Sequence, residues 1–190
     1  NSNTNLSEAS RNNIESLKQN NAFTVTTGHQ LCLFTGPLYF IYKIISTINL
    51  AEELQKEYVD NKFVPVFWMA TEDHDFAEIN HIHLFGKKIS WESVQKGAVG
   101  RMNLDGMEEV LDNLDQVLGK SDNATSLSNI FRQAYKKSNL AEASRYLINE
   151  LFGKYGIVIL DGDNKNLKDE FLPIIKRDVE EQALFPAIAE

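Results

Sequence analysis

The sequence predicts an α/β domain built on a parallel sheet, and three observations carry that expectation. A β-prone segment, Phe23 to Thr27, runs into Gly28 and is followed by an amphipathic stretch from Leu38 to Leu54. A nearly continuous apolar run, Phe63-Val64-Pro65-Val66-Phe67-Trp68-Met69, comes next, and a second one, Tyr155 to Leu160, ends in the acidic turn Asp161-Gly162-Asp163. Strands that are apolar on both faces suit a parallel sheet whose two sides are covered by helices. Strand, helix and strand over residues 23–69 make a βαβ unit, with a right-handed crossover.

Taken in order, residues 1–12 are rich in Asn and Ser and predict a frayed start, and Ile14 and Leu17 suggest a short helix. Thr35-Gly36-Pro37 opens a helix from 37 to about 57, with Pro37 in the first helical position and Gly36 or Thr35 as cap. Leu38, Ile41, Ile45 and Ile48 mark its apolar face. Pro65 is a blemish in the second strand, since it donates nothing to a ladder. Ile82, Leu84, Ile89 and Trp91 around Gly86-Lys87-Lys88 predict a β-hairpin. Residues 107–118 and 126–153 read as two amphipathic helices joined by a polar turn at 119–123, and a last helix runs from about 166 to 183.

Composition narrows the function. With 190 residues, 43% hydrophobic and 24% charged, the chain has enough apolar material for one sizeable core or two small ones. A net charge of −8 argues against nonspecific nucleic-acid binding and against a polybasic membrane anchor. No apolar run reaches the length of a membrane span. A lone cysteine, Cys32, allows no intrachain disulfide and suits a reducing cytoplasm. A first residue Asn1 and a last residue Glu190 suggest a piece of a longer protein.

The polar clusters follow the predicted strands. A strand, a glycine-bearing loop and a helix N-terminus form a place where backbone N–H groups and the helix dipole favour an anion. His29 and Gln30 sit in that loop, and Lys43 two turns into the helix either reaches back toward a phosphate or snorkels. The spacing matches neither the Walker nor the Rossmann fingerprint, so an ordinary βα turn is the alternative. Glu72-Asp73-His74-Asp75 puts three carboxylates and an imidazole on consecutive positions, a set that can hold Mg²⁺, position a base or tune the histidine. The same residues also suit a helix N-terminal turn capped by Thr71. His81 and His83 alternate on one strand face and, with His74, have a spacing compatible with zinc, although no cysteine or H-E-x-x-H pattern accompanies them. Cys32, between Leu31 and Leu33, reads as a buried, inert thiol. Open α/β sheets bind ligands beyond the carboxyl ends of their strands, so Gly28-His29-Gln30, Glu72–Asp75 and Asp161–Asp163 are expected to converge.

With these motifs in view, TTGHQLCLFTGPLYFIYK, PVFWMATEDHDFAEINHIHLF and YGIVILDGD closely resemble the bacillithiol biosynthesis cysteine-adding enzymes, the BshC family, over nearly the whole chain. The resemblance implies a Rossmann-like nucleotidyltransferase core, 13–91 and 154–190, with 92–153 as an insertion and a dimerising coiled coil farther on. It implies joining of cysteine to glucosaminyl-malate, with ATP and Mg²⁺ suspected by analogy with class I cysteinyl ligases. Gly28-His29-Gln30 and Thr35-Gly36-Pro37 then occupy the place where those ligases carry a histidine signature, although no His-x-Gly-His occurs here. Glu72-Asp73-His74-Asp75 and Asn80 match the family's second motif.

The leading expectation is therefore a cytoplasmic ligase that forms an amide bond and is a homodimer at full length. Gly28, Thr35 and Gly36 receive phosphate or carboxylate groups, while His29, Gln30 and Lys43 stabilise charge as an acyl-adenylate forms or breaks. Glu72, Asp73, Asp75 and Asn80 contact substrate, and His74 accepts a proton from the attacking amine. One rival is a metal-dependent hydrolase using Asp73, His74, Asp75 and His81. Another is a non-catalytic module that docks through residues 107–153.

Overall fold

The computed structural model describes residues 5–182 and residue 184. The predicted end of the last helix at 183, and the remainder of the predicted core to 190, lie outside the described residues.

Three parallel strands, β1 (Ala22–His29), β2 (Lys62–Met69) and β5 (Val158–Asp161), form a sheet in the order β1-β2-β5. A separate antiparallel hairpin pairs β3 (His81–Leu84) with β4 (Lys87–Ser90). Its two-residue turn, Phe85-Gly86, takes positive φ at both positions, as the twist of a tight hairpin requires. The lysine-rich turn expected at 86–88 is thus displaced by one residue.

The first helix is longer than the sequence suggested. α1 (Glu8–Ser16) begins at Ser7, whose side chain accepts from the Ser10 N–H, so much of the expected frayed start is ordered. β1 also runs on through Gly28 and His29, which are strand residues rather than loop. The amides of Lys62 and Ala70 donate to the carbonyls of Asn21 and His29. Even-numbered residues of β2 therefore address β1, and Pro65 faces the other side. Pairing with β5 starts only at Val66, so the missing N–H of Pro65 falls where β2 has no neighbour.

α2 (Leu38–Glu57) has Pro37 as its N-cap residue rather than its first helical residue, and no side chain caps it. Its buried face also differs from the expected one. Phe40, Ile44, Ile48 and Ala51 are buried, while Leu38 is 65% and Ile45 40% exposed. Apolar residues surround the first three turns of this helix, so only the position of the sheet selects a face.

The connection from β2 to β5 carries α3 (Phe76–Ile79), the hairpin, α4 (Met107–Leu118), α5 (Asp122–Ala134) and α6 (Leu140–Phe152). The single helix expected over 126–153 is thus two, separated at 135–139. Asn139 starts α6 by accepting from the Glu142 N–H at 2.9 Å, an N-cap signal that outweighs the continuous apolar periodicity. Residues 92–153 share one core with the sheet: Phe67, Met69, Ile157 and Ile159 pack with Phe40 and Ile44 of α2 and with Leu114, Phe131 and Leu147. The other sheet face is covered more thinly, with Val64, Val66 and Val158 packed by Ile14 and Leu160. α7 (Lys165–Glu181) follows β5 and contains Pro173.

Candidate functional site

The carboxyl ends of the three strands come together as the sequence suggested. The Ala70 N–H donates to the His29 carbonyl at 3.0 Å and the Gly162 N–H to the Met69 carbonyl at 3.1 Å, so neighbouring strands leave the sheet side by side. Thr71, 1% exposed, does not cap a helix. Its hydroxyl donates to an Asp161 carboxylate oxygen and accepts from the Asp163 N–H, locking the second and third loops together.

Around the first loop the backbone is held in an unusual path. Phe34, Thr35 and Gly36 all have positive φ, at 50°, 73° and 63°. Non-glycine residues rarely adopt such values, and they persist only where surroundings over-determine them. Here the Phe34 N–H donates to the Tyr135 hydroxyl at 2.9 Å, and the Phe34 ring meets Phe131 and Tyr135 edge-on at 4.9 and 5.2 Å. The helical segment thus clamps the turn that leads into α2. That helix has no acidic residue in its first turn and no side-chain cap, which leaves its N-terminal dipole free for an anion.

Gly28 sits in β1 opposite Trp68, and an added Cβ would lie 3.1 Å from the Trp68 carbonyl oxygen. Its own carbonyl accepts from Lys43 Nζ at 2.7 Å, while the ammonium lies 5.1 Å from the Tyr39 ring centroid. Lys43 therefore does reach back to the strand end. His29 packs edge-on against Tyr39 and Phe40, with Nδ1 3.3 Å from the Gln30 carbonyl. Burial lowers its pKa below the ordinary 6.5; the Gln30 carbonyl opposes this and Lys43 adds to it. The ring is neutral at pH 7 and suited to accept a proton or hydrogen bond. The unfolded chain takes up this proton first as pH falls. The His29 contribution to stability is thus complete above about 6.5 and is lost on acidification through the folded value. An NMR titration of this ring should give a midpoint below 6.5. A midpoint at or above that value would contradict the packing described.

Gln30 joins the first loop to the second. Its Nε2 donates to Asp73 Oδ2 at 2.8 Å and to Glu78 Oε2 at 2.9 Å. Asp73 also accepts from the Asp75 N–H at 2.9 Å, and that bond, with the Gln30 bond next, holds its carboxyl below the usual range. Asp75 caps α3, accepting from the Glu78 N–H at 3.2 Å. His74 is exposed, and its ring has no hydrogen-bond partner among the described residues. Cys32 is half-buried rather than buried as expected, and burial, with Glu78 and Asp73 nearby, pushes its thiol up to about 11, so it is protonated.

Not all the expected residues gather at this point. Glu72 turns away to Lys168 at 2.5 Å, in a network where Asp163 also binds Lys168 at 2.7 Å and Arg101 through two bonds of 2.5 and 2.8 Å. Asn80 is spent on the hairpin: its Nδ2 donates to the Trp91 carbonyl at 3.2 Å and its Oδ1 lies 3.0 Å from His81 Nδ1. His81 and His83 meet edge-on with centroids 5.5 Å apart. Among the described residues no three His, Cys, Asp or Glu side chains are grouped as a metal would need. Sequence reasoning missed Glu78, Arg101 and Lys168. Glu78 lies three residues after a capping Asp75, a spacing that marks a helix start, but Arg101 and Lys168 carry no local signal.

A parallel α/β domain with three strand ends gathered beside an open helix N-terminus is a Rossmann-like domain. The whole chain, residues 1–190, matches the model of the family described as bacillithiol biosynthesis BshC, N-terminal Rossmann-like domain, and the chain belongs to that family. A relative from Flavobacterium johnsoniae, named "Putative cysteine ligase BshC", is 50% identical over 97% of this chain and 35% of its own length. Relatives of the same name from Flavobacterium psychrophilum and Anoxybacillus flavithermus are 53% and 35% identical over 92% and 85% of this chain. The chain spans about a third of the length of these relatives, 32–35%.

Proposed function

We propose that the full-length protein is a cytoplasmic cysteine ligase that adds L-cysteine to glucosaminyl-malate, and that this domain supplies the anion-binding half of its site. The observation that carries the reading is the Gln30 bridge, which brings the first strand end, its open helix N-terminus and the Asp73-His74 turn into one polar surface. In the reaction the sugar amine attacks the activated carboxyl carbon of cysteine, the C–N bond forms, the activating group leaves with its electron pair, and the amine loses a proton. His74 takes that proton, a role its exposure supports. Asp73, held ionised by Gln30 and the Asp75 N–H, attracts an ammonium group. Thr35 and Gly36 lead into the α2 N-terminus and, with Gly28, would receive a phosphate or carboxylate there, and the neutral His29 packs on Tyr39 and Phe40 of its first turn.

Activation by ATP fits an uncompensated helix N-terminus, which suits phosphate oxygens. Mg²⁺ would arrive on those phosphates and take a carboxylate such as Asp73 or Asp75, because ions of this kind seldom use all-protein cages. Mass-spectrometric detection of the cysteinyl conjugate, using the full-length protein with cysteine, glucosaminyl-malate and ATP·Mg²⁺, tests the reading. His74→Ala should slow product formation by about 100-fold, the scale of a general base. Product formed at the parental rate by His74→Ala would remove His74 from the chemistry. No product from the folded full-length protein would reject the ligase reading.

A further inference from the structure

The loop that carries Asp73 and His74, residues 70–75, has no regular structure of its own between β2 and α3. Its internal backbone bonds are turn bonds, from the Asp73 N–H to the Ala70 carbonyl at 3.3 Å and from the Phe76 N–H to the His74 carbonyl at 3.1 Å. Two of its carbonyls are held from outside. The Val99 N–H donates to the Asp73 carbonyl at 2.7 Å, and the Gly100 N–H to the Thr71 carbonyl at 3.0 Å. Val99–Arg101 is a single 3-10 turn. The first N–H groups of such a turn have no partner within it, so they are available to grip the loop.

Gly100 lets the turn come this close. A Cβ at that position would lie 2.6 Å from the Thr71 Cβ and 2.9 Å from the Thr71 carbonyl oxygen. Its φ is not positive, so the glycine supplies space rather than conformation. Neither side has room to give. Thr71 is 1% exposed and its hydroxyl is engaged by Asp161 and the Asp163 N–H. Val99 and Met102 are buried in the shared core, and the Met102 carbonyl accepts from the Leu140 N–H at 3.0 Å where α6 begins. Arg101 adds its two bonds to Asp163. With a methyl group at position 100, either the turn retreats or the loop shifts, and both stretch the two bonds.

The consequence reaches the Asp73 carboxylate. A trans peptide sets its C=O and N–H on opposite sides, so turning the Asp73 carbonyl to Val99 turns the His74 N–H the other way. The Asp75 N–H and Gln30 Nε2, and then this His74 N–H, act on the Asp73 carboxylate. We infer that Gly100 is a positioning residue: by letting Val99–Arg101 close on Thr71 and Asp73, it holds the Asp73 carboxylate on Gln30 and sets where His74 stands. Its part in the reaction rests on the ligase reading, whereas its hold on Asp73 does not.

Gly100→Ala in the full-length protein tests this by kinetics and by NMR. In the conjugate assay kcat should fall by about 10–100-fold, the scale of a misplacement near 1 Å. The KM for ATP should stay at the parental value, because the α2 N-terminus is clamped separately through Phe34. Ile48→Ala, a core loss beside Phe63 and Pro65 at the starting end of β2, should leave kcat per folded molecule unchanged. Val99→Pro removes the bond to the Asp73 carbonyl without crowding Thr71 and should act as Gly100→Ala does, so the test stands if the alanine variant fails to fold. Without turnover, the labelled side-chain amide of Gln30 should move toward the signal of free glutamine in both variants. Parental kcat in the folded variants, an unmoved Gln30 signal, or an equal loss of kcat in Ile48→Ala would each overturn the inference. No product from the parent protein would reject the ligase reading instead, and the Gln30 signal would still decide the placement of Asp73.

Discussion

Gly36→Ala should lower the stability of the protein by about 3 kcal/mol, seen as a reduced midpoint in urea with little change in slope. Two costs combine. Gly36 has φ 63° and ψ −134°, a region that residues with a Cβ avoid at a cost of about 1–3 kcal/mol. The new Cβ would also collide with the Cβ of Cys32 and lie 3.0 Å from its sulfur, and overpacking of this kind costs about 1–3 kcal/mol. A second substitution separates the causes. Cys32→Ala removes the sulfur but keeps the colliding Cβ, so it should restore little of the loss. Full rescue by Cys32→Ala, or a Gly36→Ala protein as stable as the parent, would show that the turn is not held as described.

Phe131→Ala should cost about 3–5 kcal/mol, the usual range for removing a buried phenylalanine. Phe131 is 5% exposed and meets Phe34 edge-on at 4.9 Å, so its loss opens a cavity behind the strained turn. The effect should therefore be local as well as global. Amides of residues 33–36 should exchange faster in Phe131→Ala than in Leu147→Ala, which removes a core side chain 3% exposed elsewhere on the same segment. Tyr135→Phe keeps the ring but leaves the Phe34 N–H without its acceptor, and should cost about 1–3 kcal/mol. Equal exchange at 33–36 in the Phe131 and Leu147 variants would mean that the helices support the core and not the turn.

These two experiments bear on how the connecting segment serves the site. The family resemblance implied that residues 92–153, on the path from β2 to β5, are an insertion rather than core. Physically, they build part of the core, clamp the turn at Phe34 and send Arg101 and Arg145 to Asp163 and Asp161. The Asp163 carboxyl is pulled down to about 2, first by its bonds to Arg101 and then by Lys168. The third strand end is thereby tied both to the connecting segment and to α7.

Much of the architecture was legible because its signals are local. Runs such as Phe63–Met69 and Ile157–Leu160 are apolar on both faces, and that alone implies strands covered on two sides. The hairpin and the boundaries of α4 followed from alternation and helical spacing within a few residues. The convergence of three polar loops followed from one rule, since parallel strands put all their carboxyl ends on one edge. The placement of Gly28, His29, Gln30 and Asp73 at that edge was readable for the same reason, whereas Lys43 was left between reaching back and snorkelling.

The remainder depended on contacts between distant residues. The buried face of α2 was read as Leu38, Ile41, Ile45 and Ile48, whereas the sheet selected Phe40 and Ile44 with Ile48, because apolar side chains surround its first turns. Gly28 serves close approach to Trp68, and Glu72 belongs to Lys168 rather than to Asp73 and Gln30. The positive φ of Phe34 and Thr35 is sustained by rings about a hundred residues later, which no local propensity encodes. By itself the sequence determined the strands, the helices α2, α4 and α7 and the edge where chemistry belongs, since periodicity and turn residues act over a few positions, but it ran α5 and α6 together. Only the tertiary structure decided which side chains meet there, because those partners are chosen by packing across the sheet.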